Sequence, residues 1–156
     1  MGSYGGDIII LDIQNIQKPK QIIQTKEGWV YSLCQIDESS FASSHWYGRI
    51  QIYSKSNTNN NLFKLISSIK QCNSYIRSLI FIKEKQILIS SCPNENKIDI
   101  YKKEREEEED CFKLKETLQH NSVNALVETN NGMFISGSRD DKNIKIWQSS
   151  SSSSLF

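Results

Sequence analysis

Four cysteines (Cys34, Cys72, Cys92 and Cys111) and two histidines (His45 and His120) are the residues of this 156-residue chain best suited to hold a metal or attack a substrate. Their spacing argues against both uses. No Cys-x-x-Cys pair occurs, and the two histidines complete no zinc pattern, so no metal is expected. Cys34 lies in an apolar stretch, where cysteine is a small core residue rather than a reactive thiol. Asp99 and Asp141 come nearest to a pair of catalytic carboxylates, but Asp99 sits inside an alternating run and Asp141 in a turn, which gives both a structural role. A Gly-rich phosphate loop, a Gly-x-Ser-x-Gly elbow and a kinase signature are all missing. The chain is therefore expected to be no enzyme and to need no cofactor.

What recurs instead is a pattern. Asp7-Ile8-Ile9-Ile10-Leu11, Arg49-Ile50-Gln51-Ile52-Tyr53, Lys97-Ile98-Asp99-Ile100-Tyr101 and Asn143-Ile144-Lys145-Ile146-Trp147 are alternating runs that close on a bulky residue. Marked by Ile10, Ile52, Ile100 and Ile146, they step by 42, 48 and 46 residues, in or just above the ~40–45 residues of one four-stranded propeller blade. Each complete unit opens with an apolar strand (20–24, 62–66, 112–118). A second strand (29–34, 75–81, 122–127) and a third ending in small hydroxyl residues (41–44, 88–91, 134–137) follow, and the alternating run is the fourth. Asn130-Asn131-Gly132 between the second and third strands of the last unit favours the positive φ of a tight hairpin. The expected fold is all-β: an incomplete propeller of about three four-stranded antiparallel blades, with units at 20–53, 62–101 and 112–147. Residues 1–13 supply a strand of a preceding blade, and 148–156 a low-complexity loop and the start of the next strand.

The last unit resembles the WD-repeat β-propellers. The resemblance rests on His120-Asn-Ser-Val-Asn-Ala-Leu126 and on Phe134-Ile-Ser-Gly-Ser-Arg-Asp-Asp-Lys-Asn-Ile-Lys-Ile-Trp147. It implies a hydrogen-bonded chain of His120, Ser136, Asp141 and Trp147 that fastens the blade, with the imidazole satisfied on both nitrogens and the indole N–H paired. From His120 to Val123 the gap is one residue shorter than in the family pattern, which places His120 off its usual position. The other two units keep the apolar skeleton and lose this chain: Tyr53 and Tyr101 replace Trp, Tyr47 and Glu95 fill the Asp slot, and Glu27 and Asn73 stand near the His slot.

A net charge of +1 and the absence of any basic cluster longer than two residues speak against a nucleic-acid partner or an anionic membrane surface. No apolar run approaches a membrane span, the N-terminus lacks a signal-peptide pattern, and Gly6 stands where a myristoylation signal wants Ser or Thr. The reading is a soluble, intracellular protein, cytoplasmic rather than nuclear. Low-complexity segments at Ser54–Asn61, Lys102–Asp110 and Gln148–Ser154 recur at one structural place and are expected as loops on a common face, the acidic run from Glu104 to Asp110 being solvated and disordered or else a dock for a basic partner. Leu155-Phe156 follows its serine tract as Leu62-Phe63 follows the Asn-rich tract, so the chain is expected to be a fragment of a longer propeller, or else to close by association with another copy or chain.

These features point to a non-enzymatic scaffold that binds a protein or peptide. The alternative is the substrate-targeting region of a larger enzyme, such as a kinase or ubiquitin ligase. The resemblance places the contact face on the turns between third and fourth strands and on the loops leading into the inner strands. Candidate contacts there are Trp29, His45, Trp46, Tyr75, Arg139 and Asp140, with Glu27 and Asn94 beside them. Trp29 is placed either on this face or between blades.

Overall fold

The β-branched and aromatic residues that alternate along these runs favour extended backbone with one face for packing. The computed structural model describes residues 5–56, 61–106, 109–129 and 132–148. They form β1 (Asp7–Ile10), β2 (Gln21–Gln24), β3 (Val30–Gln35), β4 (Ser40–His45), β5 (Arg49–Lys55), β6 (Phe63–Lys70), β7 (Ser78–Ile82), β8 (Ile87–Cys92), a 3-10 turn at Pro93–Glu95, β9 (Lys97–Glu106), β10 (Glu109–Gln119), β11 (Val123–Glu128), β12 (Phe134–Ser138) and β13 (Ile144–Trp147). These build four antiparallel sheets: β1-β2, β3-β4-β5-β6, β7-β8-β9-β10 and β11-β12-β13. The fold is all-β and is that of an incomplete propeller.

Sequence repeat and sheet are out of phase by one strand. The apolar strand that opens each sequence unit (β2, β6, β10) pairs with the alternating strand of the unit before it: β2 with β1, β6 with β5, β10 with β9. Every repeat therefore begins as the outer strand of one blade and continues as the three inner strands of the next. Covalent continuity ties each sheet to its neighbour. The strand at the start of the chain is thus not single, since β1 carries β2 at its side.

Two apolar layers lie between the blades. One joins Ile36, Ala42, Ile50 and Ile52 of the β3–β6 blade to Leu79, Phe81, Leu88 and Tyr101 of the β7–β10 blade. The other joins Ile87, Ile89, Ile98 and Ile100 of that middle blade to Val123, Leu126 and Phe134 of the last. With an apolar layer on each face of the middle blade, β8 is buried from end to end. The last blade has no such cover: Ile144 and Ile146 are 72% and 69% exposed, whereas the matching Ile98 and Ile100 are fully buried.

Each alternating strand is preceded by a residue in the left-handed region: Gly6, Gly48, Asn96 and Lys142. At Gly48 the requirement is also spatial. A Cβ there would stand 2.1 Å from the carbonyl oxygen of Cys72, so only glycine lets the β4–β5 turn approach the segment between β6 and β7.

The expected loop at Lys102–Asp110 is largely strand. β9 continues to Glu106 and β10 starts at Glu109, in register with each other; residues 107–108 lie outside the described residues. A long hairpin satisfies the backbone groups, and Lys113 and Lys115 approach the Glu104 carboxylate at 3.5 and 2.5 Å, offsetting part of the acidic charge. The tract 54–61 is likewise strand as far as Lys55, while 57–60 and 149–156 lie outside the described residues. Among the described residues no helix is long and apolar enough to cross a membrane.

Candidate functional site

In the last blade β12 and β13 set Ser136 opposite Lys145, and β10 ends where His120 begins the loop to β11. The Trp147 indole donates to Ser136 Oγ at 2.7 Å, and Ser136 Oγ lies 2.7 Å from His120 Nδ1. His120 Nε2 meets Asn143 Oδ1 at 2.7 Å. Because Asn143 Oδ1 can only accept, Nε2 carries the proton and the Ser136 hydroxyl donates to Nδ1. Three of the four expected members, His120, Ser136 and Trp147, thus come together, and the displacement expected of His120 does not break its bond to Ser136. Asp141 stands 4.0 Å from Nε2. It lies out in the turn, where its carboxylate accepts from Asn121 Nδ2 at 3.0 Å and its N–H donates to Ser138 Oγ at 2.9 Å. The left-handed Lys142 turns the chain back so that Asn143, not Asp141, passes beneath the ring.

Backbone bonds locate the histidine slot in the other units. His120 N–H donates to the carbonyl of Asn96, Gln71 N–H to that of Gly48, and Thr25 N–H to that of Gly6. The slot therefore holds Thr25 and Gln71, not Glu27 and Asn73. Glu27 instead pairs with Arg49 at 3.2 Å, and Asn73 N–H binds the Glu95 carboxylate at 2.9 Å.

His45 was expected as an exposed turn residue. It is fully buried at the end of β4, two residues along the same face from Ser43, because the strand runs one residue further than the small-residue signature suggested. Its Nε2 lies 2.7 Å from Ser43 Oγ, the counterpart of Ser136, and its Nδ1 3.5 Å from Thr25 Oγ1. Tyr53 donates to Gln51 Oε1 at 2.6 Å, and Gln51 Nε2 donates to the Thr25 carbonyl at 3.5 Å. The first four-stranded blade has thus not lost its polar chain but rebuilt it with the imidazole on β4 instead of in the loop that enters the inner strand. Burial lowers the His45 pKa from 6.5 to about 4, so the ring is neutral. In the middle blade the chain is absent: the side-chain nitrogen and oxygen of Gln71, and Ser90 Oγ, are buried without a hydrogen-bond partner.

Aromatic residues gather on the face that carries the β4–β5 turn and the loops into β3 and β7. Trp29 and Trp46 lie 4.9 Å apart between ring centroids, and Trp46 stacks on Tyr75 at 5.7 Å and 13°. Tyr31 touches both Trp46, at 6.2 Å, and Tyr75, at 5.3 Å. Trp29 and Trp46 remain 41% and 40% exposed, so Trp29 belongs to this face rather than to the core between blades. The Arg77 guanidinium lies 5.3 Å from the Tyr31 ring centre. Tyr31 was missed in the sequence; the signal was its spacing of two from Trp29, which puts both rings on one side of an extended segment. Arg139 and Asp140 pair at 2.7 Å on the surface, a contact that raises the pKa of the guanidinium and lowers that of the carboxyl. Ser122 Oγ also donates to Asp140, and Asn94 Nδ2 donates to Ser74 Oγ at 2.8 Å.

Residues 112–148 match the family model of the WD domain, G-beta repeat. No curated protein matches the chain in sequence. Among solved structures, a chain in the crystal structure of the mitotic checkpoint complex superimposes with a TM-score of 0.74 at 18% identity, over 94% of this chain and 42% of that one. The present chain thus spans less than half the length of that relative. Residues 112–148 thus carry a WD repeat, set in a chain whose fold is that of an incomplete β-propeller.

Proposed function

We propose that the chain is a non-enzymatic protein-interaction scaffold whose contact surface is the platform of Trp29, Tyr31, Trp46 and Tyr75. One observation carries this reading: two tryptophans, each about two-fifths exposed, are held on one face by stacked neighbours instead of being folded into the core. Large rings ordered before binding lose little side-chain entropy at an interface and are the usual anchors of one. The exposed Arg139–Asp140 pair suits the polar rim of such a contact. The WD40 fold supports the reading, since it is a fold of protein-binding scaffolds.

The bare Ile144 and Ile146 face of the last blade supports a second, purely structural contact, in which another sheet covers it as the last blade covers Ile98 and Ile100.

The platform is tested by affinity capture with the chain as bait, followed by direct titration of the protein so identified. Trp46→Ala is expected to weaken binding by about 2 kcal/mol or more, roughly thirtyfold, without lowering the melting temperature. Arg139→Ala is expected to weaken it less. Binding that survives Trp46→Ala and Arg139→Ala but is lost on deleting 104–110 would move the contact to the opposite end of the blades and overturn the assignment.

A further inference from the structure

Cys72 and Cys92 stand 20 positions apart in the sequence, yet the fold brings them to one point. Cys72 follows β6, the outer strand of one blade, and Cys92 ends β8 in the next. The turn after β8 adds Glu95, and the two Sγ atoms and a carboxylate oxygen all lie within 4.8 Å of one another. The last blade shows what these positions hold when the repeat is well kept. There the counterparts are Asn121, Ser138 and Asp141, a hydrogen-bonded trio of hard polar groups. The middle blade keeps a carboxylate, as Glu95, and replaces the amide and the hydroxyl with two thiols, in the same unit whose Gln71 and Ser90 lack partners.

We infer that Cys72, Cys92 and Glu95 form a binding site for a soft divalent cation of the zinc class. The donor set is of the right kind, two sulfurs and one oxygen. Tetrahedral coordination at Zn–S ~2.3 Å and Zn–O ~2.1 Å sets neighbouring donors about 3.6–3.8 Å apart, so donors already within 4.8 Å of one another close by about 1.2 Å at most. The carboxylate is already oriented, because Asn73 N–H holds Glu95 Oε1 at 2.9 Å and Lys97 Nζ holds Oε2 at 3.0 Å, the outer-sphere support that metal ligands require.

On binding, the two thiols release their protons to solvent and two sulfur–metal bonds form. Two thiolates and one carboxylate against a dication leave one negative charge, which the Lys97 ammonium meets. Both cysteines are buried while Glu95 is exposed, so the cation enters past Glu95, and the fourth coordination position faces that opening. The site would clamp the β6–β7 connection of one blade to the β8–β9 turn of the next.

The experiment uses the full chain, reduced and stripped of metal, with Co²⁺ as a spectroscopic probe and Zn²⁺ as competitor. The expected result is uptake of one Co²⁺ with a thiolate-to-cobalt charge-transfer band that Zn²⁺ abolishes. The band should be lost in Cys72→Ser and in Cys92→Ser, and kept in Cys34→Ser and Cys111→Ser. Glu95→Gln, a surface change that leaves the blade packing untouched, should weaken Co²⁺ binding at least tenfold and so decides the matter if the cysteine variants fail to fold. Absence of the band in the wild type, or a band indifferent to Glu95→Gln and to both cysteine changes, overturns the site. A mass deficit of two hydrogens, mapped to a Cys72–Cys92 disulfide, with no metal uptake after reduction, overturns it in favour of a disulfide pair.

Discussion

His120 reaches Asn143, not Asp141, with its outer ring nitrogen: 2.7 Å separates Nε2 from Asn143 Oδ1, against 4.0 Å to the nearest Asp141 oxygen. A neutral amide in this place extends the fastening chain of the last blade from Trp147 through Ser136 and His120 to Asn143 without a carboxylate.

The two candidates for the fourth position can be separated by stability. Asn143→Ala strands a buried N–H of His120 and should destabilise the chain by about 1–3 kcal/mol in denaturant unfolding. Asp141→Ala removes only surface contacts and should stay within about 0.5 kcal/mol. The reverse order would restore the carboxylate as the partner.

Stability should fall in mild acid because of His45. Its folded pKa, about 4, lies below the 6.5 of the free group. Its contribution is therefore complete above pH ~6.5 and is lost as the pH falls from there to about 4, the window in which the unfolded chain takes up a proton that the buried ring refuses. Two and a half units correspond to about 3 kcal/mol at the acid limit. Thermal melts of the wild type and of His45→Gln between pH 7 and 4 check this: the variant should start lower and show a flatter acid limb.

Gly48→Ala should be among the most damaging single changes. The new Cβ meets backbone oxygens of Cys72 and Ser74 at 2.1 and 2.5 Å while φ stands at +69°, and left-handed backbone alone costs a non-glycine residue about 1–3 kcal/mol. Gly137→Ala, whose Cβ would meet only Ala125 Cβ at 3.9 Å, is the control and should fold normally by circular dichroism.

The bare face of the last blade should make the chain self-associate. Light scattering on a sizing column is expected to give a mass above the 18.0 kDa of one chain, and Ile144→Lys with Ile146→Lys should return it to that value. A wild type that runs as a sharp monomer would show that the exposed isoleucines are not adhesive.

Much of the architecture was legible in the residues. The four alternating runs fixed the period, and local alternation determines which face of a strand is apolar whatever its neighbours. His120, Ser136 and Trp147 were legible for the same reason: each has a set place within one repeat. Sheet membership was not, because hydrogen bonding between β6 and β5 or between β10 and β9 joins strands that the sequence period assigns to different units. Nor was the burial of His45, whose fate depends on Thr25, twenty positions earlier in the same unit, and on how far β4 extends. Asn143 was hidden behind Asp141 because a two-residue difference in a turn is settled by backbone φ, here the left-handed Lys142. The meeting of Cys72 with Cys92 lies furthest from the sequence. Neither neighbour nor spacing marks them as a pair, and only the packing of one blade's last turn against the next blade brings two distant thiols and a carboxylate within ligand distance.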